Sequence, residues 1–129
     1  MNDEMFERGM KIRRETMGDA YVDKAMSQVD DFTEDFQKLV TTYCWGEVWG
    51  REGLDRRTRS IINLAMISTL NRPHELAGHV RGAVNNGLTR DEIKEVLLQV
   101  GIYAGVPAMV DSFRIAKAVL DELGSHAKD

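Results

Sequence analysis

One histidine lies where an imidazole could carry out acid–base chemistry near neutral pH. His79 follows Leu76 by three residues and precedes Ala83 by four, so it borders an apolar helical stripe. An imidazole at such a boundary is partly desolvated but can still be reached by a substrate, which suits a general acid or base. The alternative is a histidine that is hydrogen-bonded at the edge of the core. The residues alone leave both interpretations open.

A carboxylate at Glu47 has a similarly unusual setting. It follows Tyr43 by four residues and Phe36 by eleven, so it continues an apolar helical face, with Trp45 and Trp49 on either side. An anion there is destabilised, so the group would tend to hold a proton and could deliver it to a substrate. The alternative is a helix-end glutamate that reaches water or pairs with an arginine, and the residues alone favour that alternative.

His74 and His79, with Glu75 between them, do not form a zinc-protease motif. That motif needs two histidines four residues apart, so that both face the metal. His74 and His79 are five residues apart, which turns the second side chain away by roughly 140°. We therefore predict no metal site.

Cys44 is the single cysteine of the chain. A dithiol peroxidase or a disulfide exchanger needs a second, resolving thiol nearby, so neither activity is expected. We expect a buried, unreactive thiol. A chain that cannot form an internal disulfide suits a reducing compartment.

Six arginines form a basic cluster in an acidic chain of net charge −4: Arg51, Arg56, Arg57, Arg59, Arg72 and Arg81. A general nucleic-acid-binding protein needs a concentrated basic face, so the overall charge argues against nucleic acid as a partner. The planar fork of arginine pairs bidentately with carboxylates and phosphates. Most of the six are expected to be solvated or paired with acids, and one or two could bind an anionic substrate.

The 129 residues show helical periodicity almost throughout, interrupted at Gly18, Gly50–Gly53, Asn85–Gly87 and Gly105–Pro107. A long helix is predicted to begin at Asp30 and to bury one apolar face. No segment alternates as a strand does, and no linker or repeat is present. We predict an all-α, single-domain bundle of about six or seven helices over residues 1–124, followed by a frayed tail over residues 125–129.

Local signals fix several boundaries of these helices. Asp55 is expected to cap a helix, Pro73 to lie in the first turn of the next, and Thr89–Glu92 to form a capping box. Gly124 is expected to end the last helix. The stretch Ile61–Ile67 is apolar nearly all round, so part of its cover could come from another subunit.

Targeting signals are not evident in the sequence. The acidic residues 1–4 lack the apolar core of a signal peptide, and no run of about 18 apolar residues could span a membrane. Together with the single cysteine, these features predict a cytoplasmic protein with no membrane partner.

Several motifs, in one order along nearly the whole chain, resemble the 4-carboxymuconolactone decarboxylase family. The stretches that carry the resemblance are Trp45-Gly46-Glu47-Val48-Trp49, Gly53-Leu54, Arg56, Thr58-Arg59-Ser60, Glu75-Leu76, His79, Arg81, Asn85-Asn86-Gly87-Leu88-Thr89 and Tyr103-Ala104-Gly105-Val106-Pro107-Ala108. Met1-Asn2-Asp3-Glu4, Asp31-Phe32 and Asp35-Phe36-Gln37 also look like true decarboxylases of the protocatechuate pathway.

This resemblance implies an alkylhydroperoxidase D-like fold and homo-oligomers, either trimers or hexamers. It also implies cofactor-independent decarboxylation of a small anionic lactone, 4-carboxymuconolactone, to 3-oxoadipate enol-lactone and CO2. The peroxidase branch of this fold uses a CxxC motif and a histidine. This chain keeps the histidine, His79, and lacks both cysteines, which favours the decarboxylase branch.

The resemblance and the residue chemistry together suggest roles for six side chains. His79 is the expected proton donor or oxyanion stabiliser, and Glu47 the expected acid, base or proton relay. Arg51 or Arg81 is expected to bind the retained carboxylate. Trp45 and Trp49 would keep the departing carboxylate poorly solvated.

Four residues depart from the decarboxylase pattern: Gly50, Glu52, Gln99 and Met109. They could alter the pocket and therefore the substrate. The alternative function is a related family member with a different small-molecule activity, or a redox-linked, peroxidase-like one.

Overall fold

The structure is a computed structural model that describes the backbone of residues 3–127 and the side chains of residues 3–124. These residues form helices and no strand, which confirms the predicted all-α fold. They comprise seven α-helices and one π-helix: α1 Asp3–Met17, α2 Asp19–Ser27, α3 Glu34–Leu39, the π-helix Val40–Val48, α4 Arg56–Leu70, α5 Pro73–Asn85, α6 Arg90–Ala104 and α7 Val106–Ala127. None of these helices is long and apolar enough to cross a membrane.

The chain divides into two compact units, the first ending at Arg56 and the second beginning at Arg57. Each has its own buried apolar cluster. That of the first unit is formed by Ile12, Met17, Val22, Trp45 and Trp49. That of the second is formed by Leu64, Leu76, Val80, Ala83, Leu88, Ile93, Leu97, Ala116 and Val119. The single domain over residues 1–124 stays a prediction.

In the first unit, α1 crosses the π-helix at a pair of glycines. A Cβ atom on Gly46 would lie 2.6 Å from the carbonyl oxygen of Met5, and a Cβ atom on Gly9 would overlap the carbonyl oxygen of Thr41. The two backbones can therefore touch only because neither position carries a side chain. This contact fixes which side of the π-helix faces the core.

The prediction for the face of residues 32–48 was wrong. The apolar side chains expected to be buried are exposed within the chain, with Phe32 91% and Phe36 52% accessible, whereas Thr41, Thr42 and Trp45 are buried. The π-helix closes its turns with i→i+5 hydrogen bonds and so has more residues per turn than the α-helical period assumes. In addition, the glycine contact turns the Thr41 side toward α1, so the most apolar face points outward.

Several predicted helix boundaries are confirmed in the second unit. Pro73 opens α5, and Thr89 with Glu92 forms the predicted capping box at the start of α6. Gly87 and Gly105 have φ angles of 96° and 112°. This left-handed region favours glycine, and it lets the chain turn sharply after α5 and after α6.

Helix α4 buries Leu64 but leaves Ile62, Met66 and Leu70 partly exposed on a stripe with four-residue spacing. As the sequence suggested, the chain itself does not cover all sides of this helix.

The predicted end of the last helix was wrong. Helix α7 continues past Gly124 to Ala127. Gly124 does not adopt the positive φ of a left-handed cap, and a Cβ atom there would meet only open space. It therefore behaves as an ordinary helical residue. Lys128 and Asp129 of the predicted tail lie outside the described residues.

Candidate active site

His79 lies in the middle of α5, and its ring is partly buried. Its neighbours Leu76, Val80 and Ala83 form part of the apolar cluster of the second unit. The predicted position at the border of an apolar stripe is therefore confirmed. Its role is not decided by this position.

Burial lowers the pKa of His79 below its usual value near 6.5, and the nearby negative charge of Glu75 opposes this effect only in part. The Nδ2 atom of Asn63 lies 3.5 Å from Nδ1 of the ring. When Nδ1 accepts from this amide nitrogen, the proton of the neutral ring is on Nε2. Burial therefore favours the neutral imidazole at pH 7.

The π-helix positions the aromatic pair of the first unit. Trp45 lies inside the π-helix and Trp49 directly follows it, and both are buried. Their ring centroids are 4.9 Å apart, with 34° between the ring planes. This tilted contact holds the two indoles as one rigid apolar wall.

Glu47 is not on a buried face, contrary to the face predicted for it. Its side chain is 48% exposed, and its Oε1 lies 3.6 Å from a guanidinium nitrogen of Arg51, one turn later. The structure therefore agrees with the other interpretation, a helix-end glutamate that reaches water and pairs with an arginine. An ion pair exposed to this degree adds little stability, so both groups can take new partners.

Arg51 and Trp49 line the same cavity of about 550 Å³ in the first unit. This volume lies within the usual range of roughly 300–1,000 Å³ for small-molecule sites. Arg8 and Lys11 of α1 also line it. Neither residue was predicted from the sequence. Their three-residue spacing, continued by Glu15 four residues later, marks the polar side of α1 and was the available signal.

Arg81, the other predicted carboxylate-binding residue, is already paired. Its Nη2 donates to Oε2 of Glu122 on α7, at 2.8 Å. The sequence offered Arg51 and Arg81 as residues that could bind the retained carboxylate. The structure favours Arg51, because it lines a cavity.

The four departures from the family pattern have different settings. Gly50 and Glu52 line the same cavity as Arg51, so two of the four lie where they could change what binds. Gln99 is exposed. The side chain of Met109 packs so closely on Gly101 that a Cβ atom at position 101 would overlap its sulfur.

Cys44 and His74, which were also considered from the sequence, both lie on the surface. Cys44 is exposed, so the expectation of a buried thiol was wrong; it lies on the outward side of the π-helix. His74 is exposed. Among the described residues, no group of three or more His, Cys, Asp or Glu side chains could hold a metal ion.

Comparison with known proteins decides the family. The family model for the carboxymuconolactone decarboxylase family matches residues 34–118. The chain is 41% identical to the 4-carboxymuconolactone decarboxylase of Acinetobacter baylyi, over 96% of this chain and 93% of that protein. The chain belongs to the carboxymuconolactone decarboxylase family.

Other relatives show how the family varies. The chain is 36% identical to the nitrosuccinic acid decarboxylase of Metarhizium robertsii, over 95% of this chain and 88% of that protein. A shorter match, 36% identical over 60% of each chain, is to an uncharacterised 15.0 kDa protein of Paracoccus denitrificans. All six predicted site residues fall inside the segment that matches the family model, whereas Arg8 and Lys11 precede it.

Proposed function

We propose that this protein is a carboxy-lyase that converts 4-carboxymuconolactone to 3-oxoadipate enol-lactone and CO2 without a cofactor. The observation that carries the proposal is the 41% identity, over 96% of the chain, to a protein named for this activity. The neutral, partly buried imidazole of His79 and the arginine-lined cavity supply chemistry that fits it.

The proposed reaction needs no external electron sink. When the C–C bond to the departing carboxylate breaks, its electron pair moves through the ring double bond onto the lactone carbonyl oxygen, and CO2 leaves. The ring carbon α to the carbonyl then takes up a proton as the carbonyl re-forms. The protein has to bind the retained carboxylate, stabilise the oxyanion and supply the proton.

His79 is the proposed oxyanion stabiliser. Because burial lowers the pKa of His79, the ring is neutral at pH 7 and is a poor source of an imidazolium proton. In the tautomer whose Nδ1 accepts from Asn63, the Nε2–H group is proposed to donate to the developing oxyanion. Of the two roles that the sequence left open, the setting of the ring therefore favours hydrogen-bond donation.

Arg51 is proposed to bind the retained carboxylate, and Glu47 to relay the proton from water. The pair is exposed and 3.6 Å apart, so an incoming carboxylate can displace Glu47 from the guanidinium at little cost. Trp45 and Trp49 are proposed to limit the solvation of the departing carboxylate, which favours neutral CO2.

The protein is further proposed to be a cytoplasmic homo-oligomer, a trimer or hexamer, in the protocatechuate branch of aromatic catabolism. Its exposed apolar side chains support association. Ile102 and Tyr103 near the end of α6 are 82% and 86% accessible, and surface of this kind usually contacts a partner. Light scattering on the purified protein tests this proposal, and a monodisperse monomer would contradict it.

A second candidate substrate is nitrosuccinic acid, because the relative named for its decarboxylation matches 95% of this chain. It is also a small dicarboxylic acid, so the role proposed for Arg51 suits it as well. A redox-linked activity is the weaker alternative, since a thiol peroxidase would have to work with Cys44 alone. Rapid reaction of Cys44 with hydrogen peroxide in a thiol titration would favour that alternative.

The test is an ultraviolet assay in which a cycloisomerase makes 4-carboxymuconolactone from 3-carboxymuconate in situ. A metal chelator is present throughout, and nitrosuccinate is assayed in parallel by CO2 release. Rapid, chelator-insensitive formation of the enol-lactone is expected. Turnover of nitrosuccinate alone would move the assignment to the second candidate, and turnover of neither by the folded protein would refute both.

A further inference from the structure

Two side-chain contacts link α4 to α5, and one of them reaches the ring of His79. Nδ2 of Asn63 on α4 lies 3.5 Å from Nδ1 of His79. Nδ2 of Asn86, directly after α5, donates to Oγ of Ser60 on α4 at 2.9 Å. The second contact joins the two helices without involving the ring. The two asparagines therefore have different partners, and only Asn63 can act on the imidazole directly.

The backbones that carry Asn63 and His79 are held in place by the core. Leu64 follows Asn63, Val80 follows His79, and both are fully buried in the apolar cluster of the second unit. The turn between the two helices includes Asn71, whose φ angle of 57° is left-handed. A side chain on such fixed elements can restrict the orientation of a ring that it contacts.

Charged groups on α4, α5 and α7 surround this pair. Glu75 lies one turn before His79, and its negative charge favours the imidazolium. Arg81, two residues after His79, is paired with Glu122 of α7. Arg59 is half-buried and precedes Asn63 by four residues, so it lies on the same side of α4. The ring thus has a carboxylate on its own helix and an amide on α4.

These two groups favour different states of the ring. An imidazolium has two N–H donors, so it cannot accept a hydrogen bond from an amide nitrogen. The contact of Asn63 Nδ2 with Nδ1 is therefore available only to the neutral ring with its proton on Nε2. A carboxylate in the place of this amide would favour a proton on Nδ1 instead.

We propose that Asn63 is a positioning residue for His79, which holds the ring with Nδ1 toward α4 and the proton on Nε2. This role rests on the proposed decarboxylase function, in which the Nε2–H group donates to the developing oxyanion. It adds to that function a residue of α4 that acts through the histidine and does not itself touch the substrate.

The isosteric change Asn63→Asp tests the proposal most sharply. Its carboxylate accepts from Nδ1–H, so the pKa of His79 rises and the neutral ring carries its proton on Nδ1. At a pH where the ring is neutral, kcat should fall by about tenfold or more, because the Nε2 donor is lost. It should recover as the pH falls and Nε2 gains a proton. The wild type is expected to lose rate in that direction.

Two other substitutions complete the comparison. Asn63→Ala removes the contact without adding charge, so kcat should fall less than in Asn63→Asp, and its pH dependence should keep the wild-type sign. Asn86→Asp is the matched control, because the same chemical change is made where the amide contacts Ser60 and not the ring. It should have the wild-type pH profile. A merely structural role of Asn63 would not make the isosteric variant the worse one.

The tautomer can be measured without turnover, by long-range 1H–15N NMR spectra of the full-length chain. The chain has three histidines, and the signals of His79 are those that disappear in His79→Gln. At a pH above the pKa of the ring, the proton should be on Nε2 in the wild type and in Asn86→Asp. It should be on Nδ1 in Asn63→Asp.

Two results would overturn the proposal. The first is a wild-type ring with its proton on Nδ1, which would mean that the amide oxygen of Asn63 faces the ring. The second is the same tautomer in Asn63→Asp as in the wild type. Either result can occur while the lactone is turned over, in which case the decarboxylase function stands without this role of Asn63. Conversely, the expected tautomers without turnover of the lactone or nitrosuccinate support the role of Asn63 in holding the ring and refute the proposed reaction.

Discussion

Replacing His79 should remove most of the catalytic rate while leaving the fold intact. In the proposed mechanism, its Nε2–H group stabilises the oxyanion that forms as CO2 leaves. Loss of one such donor typically lowers kcat by about 10²–10³, or roughly 2.7–4 kcal/mol of transition-state stabilisation. We expect this loss in His79→Ala, with little change in KM, because the donor acts on charge that develops only in the transition state.

The pH dependence distinguishes the two possible roles of this ring. Burial lowers the pKa of His79, so the imidazole is neutral at pH 7 and remains neutral somewhat below its usual pKa near 6.5. If the neutral ring is required, kcat is flat from about pH 8 to 6.5 and falls only as the pH drops through the lowered pKa. An imidazolium proton donor would instead give a rate that rises as the pH falls through this range.

The lowered pKa of His79 also makes the unfolding free energy depend on pH. Below pH 6.5 the unfolded chain binds a proton at this position more readily than the folded chain, so stability is lost as the pH falls toward the lowered pKa. His79→Gln should therefore show a weaker loss of unfolding free energy between about pH 7 and 5.

The assay is the ultraviolet measurement with lactone made in situ, repeated across pH with the cycloisomerase in excess. His74→Ala is the matched control, because His74 is an exposed histidine on the same helix; it should have wild-type kcat. Circular dichroism and thermal unfolding verify that each variant is folded. Turnover by His79→Ala within about twofold of the wild type would refute the role of this residue in the oxyanion step.

Three further predictions follow from contacts in the two units. Arg51→Gln should raise KM for the lactone by about tenfold or more. Arg81→Gln should leave KM nearly unchanged, because the guanidinium of Arg81 is already paired with a glutamate. Equal effects of the two substitutions would contradict the choice of Arg51 over Arg81. Gly9→Ala should lower the unfolding free energy, measured by urea titration, by about 3 kcal/mol or more. The reason is that the Cβ atom of the alanine would overlap the backbone of the π-helix. Gly53→Ala is the control, because a Cβ atom at position 53 meets nothing within 4 Å. Met66→Glu on the exposed stripe of α4 should shift light scattering toward smaller species if that stripe is a subunit interface, and an unchanged mass would exclude it.

Local chemistry made many features predictable from the sequence. The capping box at Thr89, the proline that opens α5 and the glycines at positions 87 and 105 depend on a few neighbouring residues, so their patterns could be read directly. The family was recognisable for a related reason, because its motifs occur in order along the chain. The border position of His79 also follows from helical spacing within α5 alone.

The orientation of residues 32–48 was not predictable in this way. Their apolar face was identified correctly, but the assumption that it must be buried in the same chain was wrong. The buried side is decided by the close contact between Gly9 and the π-helix, which separate parts of the sequence form. Glu47 is consequently exposed and paired with Arg51 instead of buried.

The sequence by itself determined the fold class, most of the helix boundaries, the family and the candidacy of His79. These depend on local spacing, capping and motif order. Only the tertiary structure decided which partners the charged side chains find far away in the chain. It places Arg8 beside Gly50, 42 residues away in the chain, and pairs Arg81 with Glu122, 41 residues away. Such meetings depend on how helices pack, and packing is set by shape and close contact along whole helix faces, which no local pattern specifies.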